Sequence, residues 1–234
     1  MNTLQRKFEN MLAIQSELNK AVHPEWYTQG YIWGDAIMIE ATELFDHLHW
    51  KWWKKYPKPV DTEQVKLEAI DIWHFLLSQM VENLGIAEAA EVLAELFQNH
   101  DEAVDTDINW DNVKGNVKDL LFDVLNDFPV KGIQPLCLGS FANLLSSLGM
   151  TLDEVYTTYV GKTQLNRLRW ANGYGTTYIK IWDNDQEDNV WLAEYVKTLD
   201  VNASDFKEQV YDGLAAKYTE IKRDCNVQGR SNER

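Results

Sequence analysis

The spacing of hydrophobic residues along the chain predicts a mainly helical protein. Near the start, Leu4, Phe8, Met11 and Leu12 recur at intervals of one to four residues, which places them on one face of a helix. The approximate bounds of the predicted helices are 2–20, 33–55, 61–84, 86–99, 111–126, 135–148, 152–171, 187–199 and 203–223. A short extended stretch, TTYIKIW, follows the glycine-containing turn NGYG. The pattern therefore indicates an all-α fold.

Capping and helix-breaking residues set the ends of the central predicted helices. Asp61 or Thr62 is suited to cap the third helix, and Gly85 is suited to close it. The second helix is predicted to end before Pro57. We expect one all-α domain at 1–225, a semi-mobile lobe at about 86–150 and a disordered polar tail at 226–234.

Two acidic motifs lie inside apolar stretches. They are Glu40-x-x-Glu43 in AIMIEATELFDHL and Glu68-x-x-Asp71 in KLEAIDIWHFLL. Carboxylates three residues apart point to one side of a helix, and buried carboxylates need a compensating charge or hydrogen bonds. Two facing helices that each offer two carboxylates would form a cage of oxygen ligands suited to Mg²⁺.

The spacing of these acids alone leaves a second interpretation open. Glu88, Glu91 and Glu95 have the same kind of spacing, and they read as an ordinary solvated helix face. Paired structural carboxylates would explain the two buried motifs without any metal. His47 and His74 lie close by, but a histidine is more often a polar core contact than a ligand, and a Mg²⁺ site does not need one.

A second region carries basic but no acidic residues, in contrast to the rest of this acidic chain. From Val155 to Trp182 the chain has no Asp or Glu. Lys162, Asn166 and Arg169 follow one another at helical spacing, so they form one stripe on a helix. Arg and Lys side chains with amide donors are the groups that bind phosphates.

The extended stretch adds two more groups to this basic region. Tyr178 and Lys180 are two residues apart, which places both on one side of an extended chain. Together with a carboxylate cage, the region suggests a nucleotide held through Mg²⁺. The alternative is a surface helix whose cations pair with acids elsewhere in the chain.

Composition narrows the class of protein. The net charge is −15, which argues against binding to nucleic acid or to an anionic membrane. Cys137 and Cys225 give neither a disulfide framework nor a metal-binding spacing. No apolar stretch approaches the length of a membrane span. We expect a soluble, cytoplasmic protein.

These motifs resemble those of the dimeric, all-α dUTP diphosphatases, which are related to the MazG-like nucleotide pyrophosphohydrolases. The resemblance covers most of residues 8–190, and the acidic motifs resemble the metal motif of the superfamily. The stretches similar to the dUTPase branch are HWKWWKK at 49–55, DIWHF at 71–75 and YVGKTQLNRLRWANGYGTTYIKIW at 159–182, followed by Glu187-Asp188-Asn189. Thr163 stands where the family often has Asn.

The resemblance implies a MazG-like helical bundle, a homodimer, and hydrolysis of dUTP and dUDP to dUMP. It implies that Glu40, Glu43, Glu68 and Asp71 hold Mg²⁺, and that Glu40 or Glu43 orients or deprotonates the attacking water. The residues that would grip the phosphates are Lys162, Arg169, Tyr178 and Lys180.

For the uracil base, the resemblance implies that side-chain amides form hydrogen bonds to its edge and that aromatic rings stack on its two faces. The amides are Gln15, Asn19 and Asn166. Ser16 is an alternative to Gln15 at its position. Trp52 and Phe75 would flank the base, and Asp71 or His74 would lie near the deoxyribose.

Two other functions fit the same residues. One is a MazG-like pyrophosphohydrolase that acts on dCTP or another deoxynucleotide, since uracil and cytosine differ at one ring edge. The other is a binding or regulatory protein that has lost turnover. The intact carboxylates at all four motif positions favour an enzyme over a binding protein.

Overall fold

The structure is a computed structural model that describes residues 3–126 and 136–231. Within these residues the chain forms eight α-helices and no strand, which confirms the prediction of an all-α fold. The helices are α1 (Thr3–Val22), α2 (Trp33–His47), α3 (Thr62–Leu96), α4 (Trp110–Asn126), α5 (Leu136–Ser147), α6 (Leu152–Ala171), α7 (Asp188–Val196) and α8 (Phe206–Ser231). No helix among the described residues is both long and apolar enough to cross a membrane.

The backbone separates into two compact units, Met1–Val155 and Tyr156–Arg234. The boundary between them lies inside α6, and the single domain expected at 1–225 stays a prediction. The stretch at about 86–150, which we expected to be a lobe, belongs to the first unit, where α4 packs against α5 and also against α2. The mobility of that stretch stays a prediction.

The core of the first unit is built around α3, which packs against α1 and α2. The ring of Trp73 stacks on Phe141, with centroids 5.4 Å apart, and meets Phe8 edge-on at 6.3 Å. Phe97 packs edge-on against Trp73 at 5.9 Å. These four aromatic side chains are almost completely buried, and burial of such rings dominates core energetics. The core therefore fixes the position of α3 relative to α1 and α2.

Helix α2 is shorter than predicted. It ends at His47, whereas we expected a helix over residues 33–55. His49 has a φ of 55°, the left-handed conformation that commonly follows a helix end. Its ring stacks on Tyr56 at 4.0 Å, so a local contact stabilises the turn. The Trp and Lys residues that follow are mostly exposed and do not continue the helix.

Helix α3 contains a kink at Gly85. The side chain of Asp61 caps the start of α3 by accepting a hydrogen bond from the backbone of Gln64 at 3.2 Å, as predicted. Gly85 has φ 74° and ψ 174°, and helical structure resumes at once behind it. The predicted helices at 61–84 and 86–99 are thus the two arms of α3.

The second unit is held together by aromatic stacking. Tyr178 stacks on Tyr218 at 4.7 Å, and Tyr156 packs against Phe206 at 5.8 Å. The residues after α6 form turns through Thr177, so the predicted extended stretch TTYIKIW is shorter than expected. Ile181 in this stretch forms an isolated bridge with Glu187. Helix α8 continues to Ser231, and the disorder expected for the tail at 226–234 stays a prediction.

Candidate active site

Three carboxylates converge where α2 packs against α3. Glu40 comes from α2, and Glu68 and Asp71 come from α3. One oxygen from each lies within 4.8 Å of the others. Glu68 is 8% exposed, and the other two side chains are half-buried. Spacing of three residues on α3 puts its two acids on the face that meets α2. We call this group the carboxylate cluster.

Glu68 is fixed within the carboxylate cluster by two neighbours. Gln64, one turn earlier on α3, donates from Nε2 to Glu68 Oε1 at 2.5 Å. His47 Nε2 lies 3.5 Å from the same oxygen. Glu43 is exposed and does not belong to the cluster. The structure therefore brings together three of the four predicted metal ligands.

The carboxylate cluster fits a hard divalent cation. Carboxylate oxygens are the ligands that Mg²⁺ and Ca²⁺ prefer, and like charges so close together repel unless a cation lies between them. The three side chains of the cluster are all carboxylates, whereas zinc and copper sites are typically built from thiolates and imidazoles.

A buried network of polar side chains connects α1 and α3. Gln15 Nε2 donates to Asn19 Oδ1 at 2.9 Å and to Ser78 Oγ at 3.0 Å. Asn19 Nδ2 donates to the same Ser78 oxygen at 3.0 Å. His74 Nδ1 lies 2.9 Å from Gln15 Oε1. The predicted base-reading residues Gln15 and Asn19 thus lie beside the predicted deoxyribose neighbour His74. Ser16, the alternative to Gln15, is half-buried.

The two predicted stacking rings differ in their surroundings. Phe75 is half-buried and packs against Trp33, with ring centroids 6.3 Å apart. Trp33 Nε1 donates to Glu82 Oε2 at 2.5 Å, which fixes that ring. Trp52 is 87% exposed after the end of α2 and meets Trp53 edge-on at 5.5 Å. An indole so open to solvent is available to cover a ligand.

In the second unit, Arg169 and Tyr178 converge on Asp188. Arg169 donates from Nε to Asp188 Oδ2 at 2.9 Å and from NH2 to Oδ1 at 2.6 Å. Tyr178 donates to Asp188 Oδ2 at 2.8 Å. The side chain of Asp188 is completely buried. Buried charges are stable only when they are paired in this way.

These contacts change the acidity of both partners of Asp188. Burial alone lowers the pKa of Arg169, but the hydrogen bonds to Asp188 and its charge outweigh burial, so the pKa is raised. Burial, together with the hydrogen bond to Asp188, raises the pKa of the Tyr178 phenol well above its ordinary value. Both groups therefore stay protonated at every physiological pH.

The other residues of the predicted basic region, Asn166, Lys180 and Lys162, differ in their partners and in their exposure to solvent. Asn166 accepts a hydrogen bond from Arg169 NH1 at 3.3 Å, which confirms that they share a helix face. Lys180 forms an ion pair of 2.9 Å with Glu187 and remains half-exposed. Lys162 is half-buried on α6. The sequence had left open that these cations pair with acids elsewhere, and Arg169 and Lys180 do so.

Ser78 and Asp188, the central residues of two of these networks, were not predicted. Ser78 follows the apolar residues Leu76 and Leu77 on α3, where a single serine gives no signal. Asp188 belongs to a stretch that was quoted for the resemblance, but no role was given to it. Asp183, Asp185 and Glu187 stand between Asp188 and the segment without acids, so the sequence alone does not single out Asp188 as the partner of Arg169.

The comparisons with known proteins identify the family of the chain. A family model described as dUTPase matches residues 7–174, most of the chain. Among proteins with curated descriptions, none gives a significant match. The matched region contains the carboxylate cluster, the buried polar network of Ser78 and the helix that carries Arg169. The chain belongs to the all-α dUTPase family, and it is a dUTP diphosphatase, a hydrolase of dUTP.

Proposed function

We propose that this dUTPase depends on Mg²⁺, that it accepts dUDP as well as dUTP, and that it works as a homodimer. The products would be dUMP with pyrophosphate from dUTP, or with phosphate from dUDP. The observation that carries the proposal is the carboxylate cluster, in which Glu40, Glu68 and Asp71 place oxygens within 4.8 Å of one another. The homodimer rests on the family resemblance.

Glu40, Glu68 and Asp71 would hold the ion. When bound, a divalent ion supplies a Lewis acid and lowers the pKa of coordinated water toward neutrality. Gln64, through its hydrogen bond to Glu68, fixes the orientation of that ligand, as outer partners of metal ligands generally do. Glu43 lies one turn after Glu40 on α2 and is exposed, so its carboxylate is accessible to solvent. Either Glu40 or Glu43 would orient or deprotonate the attacking water.

The phosphates would be gripped by Lys162, Arg169, Tyr178 and Lys180 of the second unit. A guanidinium has five N–H donors. Among the described residues, Arg169 uses three of them, two on Asp188 and one on Asn166. Two donors are left for a phosphate. Asp188 thus holds the planar group in place, which lowers the entropy that is lost when it binds an anion.

The uracil base would be read by amides and covered by rings. Asn19 is half-buried, so its amide is accessible, whereas Gln15 is only 3% exposed. Asn19 therefore offers a donor and an acceptor to the base edge, and Gln15 holds Asn19 through its hydrogen bond. Asn166 of the second unit is the third amide of the proposed set. Trp52 and Phe75 would cover the faces of the base through stacking.

Purified protein should be tested for release of pyrophosphate and phosphate from dUTP, dUDP, dCTP, dTTP and UTP, with Mg²⁺ and with a chelator. Mg²⁺-dependent turnover confined to dUTP and dUDP is the expected result. Full turnover in chelator would overturn the metal proposal, and a preference for dCTP would overturn the assignment of the base. Light scattering of the same sample measures the mass, and a monomer would contradict the homodimer.

The role of Glu43 has its own test. If Glu43 is the group that acts on the water, Glu43→Gln should abolish hydrolysis, and the melting temperature should not change because the side chain is exposed. Glu91→Gln is the matched control, since Glu91 is an exposed acid on α3 outside the carboxylate cluster. Wild-type turnover in Glu43→Gln would leave Glu40 as the group that acts on the water.

A further inference from the structure

The hydroxyl of Ser78 lies at the centre of the polar network between α1 and α3. Its side chain is completely buried. It donates a hydrogen bond to the backbone carbonyl of His74, one turn earlier on α3, at 2.9 Å. A hydroxyl has one hydrogen to donate and two lone pairs to accept with. Because the hydrogen is used on the helix, Ser78 presents only lone pairs to the side chains around it.

These lone pairs determine the direction of two amides. Gln15 and Asn19 both approach the Ser78 oxygen at 3.0 Å, and both must do so with their NH₂ groups. Turning either amide over would place a carbonyl oxygen against a lone pair and would leave buried polar groups unsatisfied. The single hydroxyl therefore excludes the reversed orientation of each amide.

The orientation of Gln15 in turn fixes which atoms of Asn19 and His74 donate and which accept. Gln15 uses its second N–H on Asn19 Oδ1 at 2.9 Å, so Asn19 receives at its oxygen and donates at its nitrogen. Gln15 Oε1, an acceptor, lies 2.9 Å from His74 Nδ1, which places a proton on Nδ1. Every donor and acceptor choice in the network follows from the bond between Ser78 and the His74 carbonyl.

Asn19 is the member of this set that can meet a ligand. It is half-buried, and an amide has two donors and two lone pairs. Among the described residues its side chain makes two hydrogen bonds, which leave one N–H and one lone pair. Their positions are fixed relative to each other, so the amide presents one donor and acceptor pattern and not its reverse.

Uracil and cytosine require opposite patterns. Uracil offers an N3–H donor beside the O4 acceptor, whereas cytosine offers an N3 acceptor beside the N4 amino donor. We propose that Ser78 is a positioning residue that sets the preference for uracil over cytosine by fixing the amide of Asn19. This proposal rests on the proposed function, in which Asn19 reads the edge of the base.

The test is the ratio of kcat/KM for dUTP to kcat/KM for dCTP. Ser78→Ala removes the oxygen that both amides require, so the ratio should fall roughly 10- to 100-fold, the factor for one misdirected buried hydrogen bond. A role in stability alone would lower both values together and leave their ratio unchanged. Ser78→Thr keeps the hydroxyl in a position to bond the helix carbonyl, and it should keep the wild-type ratio.

Ser147→Ala is the matched control. Ser147 is 3% exposed in the first unit, and its hydroxyl also donates to a carbonyl of its own helix, that of Leu144 at 2.8 Å. It is not part of the polar network, so its loss should not change the ratio. If Ser78→Ala does not fold, Ser78→Cys keeps the shape with a much weaker acceptor and should lower the ratio in the same direction.

The outcomes separate this proposal from the proposed function. A wild-type enzyme without preference for dUTP over dCTP would overturn both. A wild-type preference that survives in folded Ser78→Ala or Ser78→Cys would overturn the role of Ser78 alone. A lower ratio in these variants, with the wild-type ratio in Ser78→Thr and Ser147→Ala, would support it.

Discussion

The guanidinium of Arg169 and the carboxylate of Asp188 form two parallel hydrogen bonds, with Nε to Oδ2 at 2.9 Å and NH2 to Oδ1 at 2.6 Å. This two-pronged geometry is the strongest arrangement for these groups. Asp188 is completely buried, and the side chain of Arg169 is 14% exposed. The pair therefore fixes the orientation of the Arg169 guanidinium, which we propose grips phosphate, and loss of either partner would leave a buried charge uncompensated.

Asp188→Asn should lower the free energy of unfolding by about 3–5 kcal/mol, because it leaves a largely buried guanidinium without its counter-charge. The kcat/KM for dUTP should fall as well, since Arg169 loses its fixed orientation. Urea unfolding and steady-state kinetics measure the two effects. Asp183→Asn is the control, because Asp183 pairs with Lys217 at 2.6 Å but is half-exposed, and its loss should cost about 0–1 kcal/mol.

Tyr178→Phe should make the protein less sensitive to alkaline pH. Burial and the hydrogen bond to Asp188 raise the folded-state pKa of Tyr178 above the ordinary value of 10.0. Below about pH 10 the phenol is protonated in both states, and its contribution to stability is complete. Above that pH the unfolded chain loses the proton first, so stability falls as the pH rises.

The alkaline slope of the free energy of unfolding, measured by urea titrations above about pH 10, should decrease in Tyr178→Phe by up to one proton equivalent. Tyr159 keeps part of the slope, because burial raises the pKa of its phenol too. A Tyr178→Phe protein with the wild-type slope would contradict the prediction.

Asp71→Asn should separate stability from activity at the carboxylate cluster. The substitution keeps the size of the side chain and removes one negative charge from a cluster of three carboxylates, so the protein should still fold and show a cooperative thermal transition in chelator. The same change removes a ligand, so Mg²⁺ should no longer raise the melting temperature, and kcat should fall at least about 100-fold. Glu88→Gln changes an exposed acid of α3 and should leave the response to Mg²⁺ intact. A wild-type rise of melting temperature with Mg²⁺ in Asp71→Asn would argue against this site.

Gly85→Ala and Gly115→Ala should change stability in opposite directions. Gly85 has φ 74° and ψ 174°, a region that is almost restricted to glycine, so alanine there should cost about 1–3 kcal/mol. Gly115 lies inside α4. A methyl group added at Gly85 or at Gly115 would meet open space, so steric contact does not explain the difference. Alanine at Gly115 should add about 0.4–1 kcal/mol. Thermal unfolding of both variants measures the effects, and a neutral Gly85→Ala would show that the kink tolerates a side chain.

The sequence predicted the helices whose apolar residues pack against neighbours. The prediction for α6 at 152–171 agrees with the observed Leu152–Ala171, and the Asp61 cap is present. The end of α2 was predicted wrongly, because aromatic residues at helical spacing continue well past His47. Those rings find no core to pack against, and the left-handed His49 ends the helix instead.

The candidate site was predictable where its chemistry appears in the pattern. The carboxylate cluster follows from acids at a spacing of three within apolar stretches, and Glu40, Glu68 and Asp71 do converge. The exposure of Glu43 depends on how α2 rotates against α3, which local spacing does not specify. Ser78 and Asp188 were missed because each acts through partners far away in sequence, and such pairings depend on tertiary packing.

The Ser78 hydroxyl uses its hydrogen and both lone pairs within the protein, and this bears on how the choice of substrate could evolve. A residue that never meets the base would decide how the base-reading amide points. A relative could keep Gln15, Asn19 and His74 and still drift toward another pyrimidine through one substitution on the next turn of α3. An alignment that scores only the base-contacting positions would place two such enzymes in one specificity class, although they hydrolyse different nucleotides.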